Sequence, residues 1–193
     1  MIRFATARDL PAMLDIYRPY VEQTTYSFEY ETPSLEEFAR RFADHTTQFP
    51  WLVWEEEGRI LGYAYASAPF SRAAYSWCAE PSIYLRKESW GKGIARGLYI
   101  ALEELLRQQG FQVMYSLITE GNENSLRFHE KCGYELKTVL PNCGFKFGRW
   151  LGLVWMEKRL KTVEIPSCMP VRWSEFMQDT QKISDILDSL SLT

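Results

Sequence analysis

Apolar residues recur along the chain with two spacings, one typical of amphipathic helices and the other of β-strands. Helical spacing follows Thr6, a suitable capping residue, and also follows the capping box SLEE at residues 34–37. Two more helices are predicted, one ending at Gly110 and the other at Gly133. Strand-like patterns occupy residues 51–55, 60–66, 75–85, 111–118, 134–140 and 150–160.

Together with a short strand at the N-terminus, these elements follow the order β, α, α, β, β, β, α, β, α, β, β. This order predicts an α/β (α+β) fold, a mixed sheet with helices packed on it, over residues 1–160. Residues 161–172 include prolines and show no periodicity, which is typical of a linker. An amphipathic helix is predicted over residues 173–193, and it either packs on the main domain, forms a subunit contact or frays.

Composition narrows the classes of function. The chain has 193 residues and a formal net charge of −3, without the basic face of a general nucleic-acid-binding protein. The N-terminal segment MIRFATARDL lacks the apolar core of a signal peptide, and no apolar run reaches a membrane span of about 18 residues. The four cysteines include no Cys-x-x-Cys pair and only two histidines are present, so we expect reduced thiols, a cytoplasmic location and no metal site.

Residues 89–99, SWGKGIARGLY, join a predicted strand to a predicted helix. Free N–H groups at the start of a helix attract phosphate, and Gly91 and Gly93 have no Cβ that would keep a ligand away. The segment lacks the Walker pattern, and its spacing differs from that of the dinucleotide fingerprint. On its own, therefore, it indicates either a phosphate-binding loop or a plain turn between strand and helix.

Two motifs resemble the GCN5-related N-acetyltransferase (GNAT) superfamily: W-G-K-G-I-A-x-x-L at residues 90–98 and N-x-x-S-L-x-F-H-E-K-x-G-Y at residues 122–134. Within that superfamily the chain is most similar to the phosphinothricin/methionine-sulfoximine N-acetyltransferase group, in residues 24–34, 49–66, 71–85 and 126–135. The resemblance implies a GNAT-like mixed, mostly antiparallel sheet with a central splay and helices on both faces. It also implies that the glycine segment binds the pyrophosphate of coenzyme A.

The resemblance implies direct transfer of acetyl from acetyl-CoA to the amine of a small amino-acid-like substrate, which needs a base to deprotonate the amine. Glu80 is the candidate, because strand alternation places it on one face with Ser76 and Cys78, and partial burial would raise its pKa. It is either this base or a structural carboxylate. His129 is either an acid for the departing thiolate or a packed side chain that lines the coenzyme A site.

The remaining cofactor residues follow from the same resemblance. Main-chain groups of Ser82, Ile83 and Tyr84 are expected to meet the thioester and pantetheine, where Pro81 causes a bulge or interrupted pairing. Asn122 is expected to contact the pantetheine arm, to cap its helix or to do both. The pyrophosphate loop consists of Trp90, Gly91, Lys92, Gly93, Ile94 and Ala95. We expect its main-chain N–H groups to hold the phosphates, because its first residue replaces the family's Gln or Arg.

For the amine substrate, the resemblance indicates residues that would bind its anionic group or wall its pocket: Phe28, Tyr30, Arg72 and Tyr75. Lys146 and Trp150 are expected to complete the pocket across a subunit boundary, which implies a homodimer. We expect a small-molecule amine as partner, with no nucleic acid and no membrane. Two other functions stay open: acetylation of a protein or peptide amine, and a non-catalytic module that binds coenzyme A.

Overall fold

A computed structural model of the chain describes residues 1–162, 165–183 and 186. These residues form the strands β1 Ile2–Phe4, β2 Trp51–Glu56, β3 Arg59–Ser67, β4 Cys78–Leu85, β5 Val113–Thr119, β6 Glu135–Lys146 and β7 Arg149–Arg159. The α-helices are α1 Leu10–Glu22, α2 Leu35–His45, α3 Ile94–Gln109, α4 Glu123–Lys131 and α5 Trp173–Phe176. The strands form one sheet in the order β1-β2-β3-β4-β5-β7-β6, antiparallel except between β4 and β5. The predicted α/β architecture with a mostly antiparallel sheet is confirmed.

Helices cover both faces of the sheet because neighbouring residues on a strand point to opposite sides. Val53 of β2 packs in one core with Met13 of α1 and Phe38 of α2. Its neighbour Leu52 packs in a second core with Leu102 of α3, on the opposite face. Each such side chain contributes about 1.5–3 kcal/mol when it is fully buried. The two helical layers therefore hold the sheet in a fixed geometry.

The sheet splits between β4 and β5. These parallel strands pair only at Cys78 with Val113 and at Ala79 with Met114. Both strands continue for several residues beyond these pairs without a further bond to each other. The predicted central splay is therefore present, and it leaves one edge of β4 open.

Of the two alternatives predicted at Pro81, a bulge or interrupted pairing, the structure has interrupted pairing. β4 pairs with β3 without a register shift, and Pro81 lies opposite Ala66. The interruption is on the other edge of β4, toward β5, where pairing stops after Ala79. A strand edge without a partner tolerates a residue that has no N–H group, which explains the proline at this position.

Two strand boundaries differ from the prediction. β4 begins at Cys78 because residues 73–75 form a short 3-10 helix, so Ser76 does not share a strand face with Glu80. β6 continues to Lys146 through most of the segment predicted as a loop before the last strand, because register shifts against β7 absorb its proline and asparagine. The last two strands consequently form one long hairpin at the edge of the sheet.

The C-terminal segment packs against the main domain. α5 is a single turn, and the centroid of the Trp173 ring lies 5.0 Å from that of Phe4. Trp173 and Phe176 are buried in the core that α3 covers. The helix predicted over residues 173–193 is interrupted by a turn after α5, and residues 187–193 lie outside the described part of the chain. None of the helices described is long and apolar enough to cross a bilayer.

Candidate active site

A cavity of about 750 Å³ opens where β4 and β5 diverge. Its walls come from both strands, from the loop after α1, and from the N-terminal ends of α3 and α4. The predicted site residues that line it are Phe28, Glu80, Ser82, Ile83, Tyr84, Trp90, Gly91, Ala95, Asn122 and His129. The predicted site residues that do not line it are Tyr30, Arg72, Tyr75, Lys92, Gly93 and Ile94.

Glu80 lies on β4 at the start of the splay, opposite Ser67 of β3. Burial raises the pKa of its carboxyl from 4.5 to about 7. Within the described part of the chain, no group donates a hydrogen bond to this carboxylate or forms an ion pair with it. A structural carboxylate would have such partners, so the geometry favours the alternative of a base at the cavity wall.

The segment before α3 has the main-chain geometry of an anion site. Gly91 and Gly93 have φ angles of +75° and +81°, a left-handed conformation that favours glycine. The first hydrogen bond of α3 runs from the Gly97 N–H to the Gly93 carbonyl, so the preceding N–H groups have no partner within the helix. The side chain of Ile94 is buried in the core, and only its main chain is left for a ligand. Free N–H groups at this helix start suit a phosphate.

The side chains near this segment determine which further hydrogen-bond donors a ligand in the cavity would contact. The indole N–H of Trp90 donates to the Tyr20 hydroxyl at 3.3 Å, which leaves it no N–H for a phosphate. Asn122 caps α4, because its Oδ1 accepts from the Ser125 N–H at 3.3 Å. The Asn122 Nδ2 has no partner among the described residues, so the side chain caps the helix and keeps a donor free at the cavity. The unpaired edge of β4 adds free main-chain groups.

His129 lies on α4 at the cavity wall and is buried. Its Nδ1 donates to the Ser125 carbonyl at 2.8 Å, and its Nε2 accepts from the Tyr99 hydroxyl at 2.7 Å. Burial lowers the pKa of the imidazole to about 4. The ring is therefore neutral at about pH 7, and both nitrogens are in use. The acid role predicted as one alternative for His129 is not supported by this geometry, whereas its position along the cavity agrees with the other alternative.

Three residues predicted to bind the amine substrate lie away from the cavity wall. Tyr30 donates its hydroxyl to the Phe145 carbonyl at 2.6 Å. Tyr75 packs against Phe70, with 4.4 Å between ring centroids. Arg72 is exposed and precedes the short 3-10 helix before β4. Only Phe28 of the predicted substrate residues lines the cavity in this single chain.

β6 supports the loop that includes Phe28. The Phe28 ring lies so close over Gly144 that a Cβ at this position would overlap the ring. Lys146 is buried, and its ammonium donates to the Val21 and Ser27 carbonyls, each at 2.7 Å. The role predicted for Lys146 across a subunit boundary is not supported by this geometry, because both hydrogen bonds hold the ammonium within its own chain. Lys146 instead fixes the loop after α1 against the hairpin.

The glycine turn, the splay and the capped α4 occur in the order that the sequence motifs imply. A family model described as an acetyltransferase (GNAT) domain matches residues 2–155. The chain belongs to the GNAT family. This membership confirms the prediction of an acetyl-CoA-dependent acetyltransferase. In residues 1–162, 165–183 and 186, no three His, Cys, Asp or Glu side chains come together as a metal site would need.

Relatives of this GNAT domain confirm the predicted similarity to one group of enzymes. The chain is 35% identical over 149 residues to a phosphinothricin N-acetyltransferase of Streptomyces viridochromogenes, across 77% of this chain and 81% of the relative. It is 39% identical over 166 residues to an L-methionine sulfoximine/L-methionine sulfone acetyltransferase of Pseudomonas aeruginosa, across 82% and 94%. The crystal structure of a GNAT superfamily phosphinothricin acetyltransferase from Sinorhizobium meliloti, in complex with AcCoA, matches with a TM-score of 0.83 and 35% identity, across 88% and 94%.

Several cavity residues of this GNAT domain are absent from its motifs. Ser27 and Glu29, in the loop after α1, and Tyr65 of β3 all line the cavity. Burial and the negative charges of Glu80 and Glu29 raise the pKa of the Tyr65 hydroxyl, so these three groups share one end of the cavity. The resemblance at residues 24–34 indicates this loop, but nothing local in the sequence shows which of its side chains face inward.

His129→Gln is expected to lower kcat by less than about tenfold, because the neutral imidazole holds no readily released proton. The variant is also expected to lose about 1–3 kcal/mol of unfolding free energy, since Tyr99 and Ser125 lose a buried partner. Steady-state kinetics and urea unfolding measure the two effects. A fall in kcat of about a hundredfold with unchanged stability would restore the acid role.

Proposed function

We propose that the protein transfers the acetyl group of acetyl-CoA to the α-amine of a small amino-acid-like substrate of the phosphinothricin or methionine sulfoximine type. The observation behind this proposal is Glu80, a cavity carboxylate that has no partner in the described residues and whose pKa burial raises to about 7. The relatives named for phosphinothricin and methionine sulfoximine acetylation support the substrate class. Acetyl-CoA supplies the acetyl group in the activated form of a thioester.

We assign to Glu80 the role of the base that accepts the proton of the amine. A protonated amine has no free lone pair, so a base must accept its proton directly or through a water molecule. An exposed glutamate, with a pKa of about 4.3, is a much weaker base than a buried one with a pKa of about 7. We assign polarisation of the acetyl carbonyl to main-chain N–H groups on the open edge of β4, at Ser82 to Tyr84, because preformed donors stabilise charge that develops on oxygen.

The other hydrogen-bond donors of the cavity suit the polar groups of coenzyme A. The free N–H groups from Gly91 to Ala95 suit a pyrophosphate, and the positive end of the α3 dipole adds to the attraction. The free Nδ2 of Asn122 suits a carbonyl oxygen of the pantetheine arm. Glu80 and residues of both groups of donors line the same cavity, so we place the acetyl group at the splay, between the base and the cofactor.

Release of free thiol from acetyl-CoA with a panel of amines tests the proposal. We expect turnover with at least one of L-methionine sulfoximine, L-methionine sulfone and L-phosphinothricin, and little with peptides, because the cavity has the size of a small-molecule site. Turnover with peptides alone would favour a protein acetyltransferase. Binding of coenzyme A without turnover on any amine would favour a non-catalytic module.

The rate is expected to depend on pH through Glu80. The carboxyl must be ionised to accept a proton, and its pKa lies at about 7, so kcat/KM should fall about tenfold for each pH unit below that value. Glu80→Gln removes this acidic limb, and any limb left in the variant belongs to the amine or to another group. Profiles of both proteins from about pH 5.5 to about pH 9 make the comparison. A wild-type profile that stays flat below neutrality would contradict the base assignment.

We also propose that the enzyme is a cytoplasmic homodimer. β6 is an edge strand, and the hairpin that it forms with β7 exposes large apolar side chains: Leu136, Val139, Leu140, Phe145, Phe147 and Trp150. An apolar surface on an edge hairpin supports pairing with a second copy of the chain. The four cysteines are free thiols, which supports a reducing compartment.

A further inference from the structure

We propose that the acceptor amino acid has a side chain that is neutral or that donates a hydrogen bond, and that Glu29 excludes a second anionic group. The inference rests on the proposed function, because it concerns the amine substrate of the same cavity. The inference distinguishes two kinds of side chain among the substrates for which the relatives are named, one anionic and the other uncharged. Phosphinothricin has an anionic phosphinate in addition to its carboxylate, whereas sulfoximine and sulfone groups are uncharged.

The cavity wall contains two carboxylates and no cation. Glu29 and Glu80 both line it, and no Lys or Arg is present among the lining residues of the described chain. An anion that leaves water needs a guanidinium or an ammonium as its partner, and its burial is costly without one. The free N–H groups of the glycine segment belong to the pyrophosphate and are not available to the acceptor.

The Glu29 carboxylate has one oxygen in use and one free. Arg41 of α2 donates from Nη1 to Glu29 Oε1, and from Nε and Nη2 to Glu37 Oε1. The second oxygen of Glu29, Oε2, accepts no hydrogen bond from the described residues. The side chain is 32% exposed, and it lines the cavity. A carboxylate oxygen in this state accepts a hydrogen bond from a substrate N–H and repels a substrate oxyanion.

The cations close to Glu29 are not available to a substrate. Arg41 uses three of its five N–H groups on carboxylates, and it does not line the cavity. Lys146 is buried behind the loop, and its ammonium donates to two main-chain carbonyls at 2.7 Å. Arg72, which the family resemblance assigns to the anionic group of the substrate, is exposed, does not line the cavity and, as one guanidinium, neutralises at most one anion. We assign it to the α-carboxylate, which leaves the described wall residues without a cation for a phosphinate.

Glu29 belongs to the acceptor end of the cavity. The charges of Glu29 and Glu80 both act on the Tyr65 hydroxyl, whereas Gly91 and Asn122 come from the starts of α3 and α4. A substrate whose amine meets Glu80 therefore extends along the wall that includes Glu29. A sulfoximine N–H on that substrate would donate to the free Oε2, and the sulfone of the same shape has only an oxygen there.

The test compares three amino acids with the wild type, Glu29→Gln and the matched control Glu31→Gln, which changes an exposed residue outside the cavity. We expect wild-type kcat/KM for L-methionine sulfoximine to exceed that for L-phosphinothricin by about tenfold or more, with L-methionine sulfone between them. Glu29→Gln should reduce the sulfoximine-to-phosphinothricin ratio by about tenfold, since the amide no longer repels an anion. Glu31→Gln should keep the wild-type ratio.

Two results would overturn the inference alone: wild-type kcat/KM for phosphinothricin that equals or exceeds that for sulfoximine, or a ratio in Glu29→Gln that stays within about twofold of the wild type. The ratio is taken within one protein, so a partial loss of folded enzyme does not alter it. Absence of thiol release with all three amino acids would overturn the proposed function, and this inference with it.

Discussion

Glu80→Gln is expected to lower kcat by about 10²–10³-fold and to leave the affinity for coenzyme A within about twofold of the wild type. Glutamine keeps the size of the side chain but does not accept a proton. Glu80 lies on β4, apart from the glycine segment before α3, so cofactor binding does not depend on its charge. Thiol release at saturating substrate and calorimetric titration with coenzyme A measure the two quantities. Unchanged turnover would remove Glu80 as the base.

The same substitution is expected to stabilise the fold at alkaline pH. The pKa of Glu80 is about 7 in the folded protein and about 4.3 in an unfolded chain. Ionisation of this carboxyl in the folded protein therefore lowers the free energy of unfolding, and the full loss is present above neutrality. Below about pH 4 the carboxyl is protonated in both states and the cost disappears. At about 1.4 kcal/mol per pKa unit, and discounted for the partial exposure of the group, Glu80→Gln should gain about 2 kcal/mol at about pH 8.

Urea unfolding of the wild type and Glu80→Gln at about pH 8 and at about pH 5 measures this effect. The gain in unfolding free energy of the variant should be smaller at the lower pH. Glu31→Gln serves as the control, since that residue is exposed and lies outside the cavity. Equal unfolding free energies of the wild type and Glu80→Gln at alkaline pH would contradict a raised pKa. Loss of turnover together with a gain in stability would show that the half-buried carboxylate is kept for catalysis and not for folding.

More of the predicted cofactor residues than of the predicted substrate residues line the cavity, for a physical reason. The conformation of the glycine segment and the helix cap of Asn122 are features of the main chain at helix starts, which the local sequence determines. Glu80 is predicted from the family resemblance and from strand alternation, and it lines the cavity although Ser76 lies outside β4. Glu29 and Tyr65 face the cavity only because of how the loop after α1 settles against β3 and β4, and no local pattern encodes that arrangement.

Lys146 is a second case in which the local sequence does not reveal the surroundings of a side chain. From the segment GFKFGRW, Lys146 is predicted to complete the substrate pocket across a subunit boundary. In the fold, the carbonyls of Val21 and Ser27, more than a hundred positions earlier in the chain, accept its hydrogen bonds and bury it. The order of strands and helices is predictable because hydrophobic periodicity is a local property, whereas the partner of a buried polar group depends on the folded chain.

Gly91→Ala is expected to weaken coenzyme A binding by about tenfold or more, because a Cβ at this cavity residue holds the pyrophosphate away from the main chain. Gly58→Ala provides a matched control. Both glycines have a φ of +75°, and at both a Cβ would have no heavy atom within 4 Å, but Gly58 lies in the turn between β2 and β3, outside the cavity. Each substitution should therefore cost about 1–2 kcal/mol of unfolding free energy from backbone strain alone.

Titration of both variants with coenzyme A separates strain from ligand binding. Since the two substitutions impose the same backbone strain, a difference in affinity between them reports on the contact with the ligand. Equal affinities of Gly91→Ala and Gly58→Ala would reject main-chain binding of the pyrophosphate at this turn. Weaker binding in Gly91→Ala alone would mean that Gly91 is required both by its left-handed conformation and by the close approach of a phosphate, which distinguishes a phosphate loop from a plain turn.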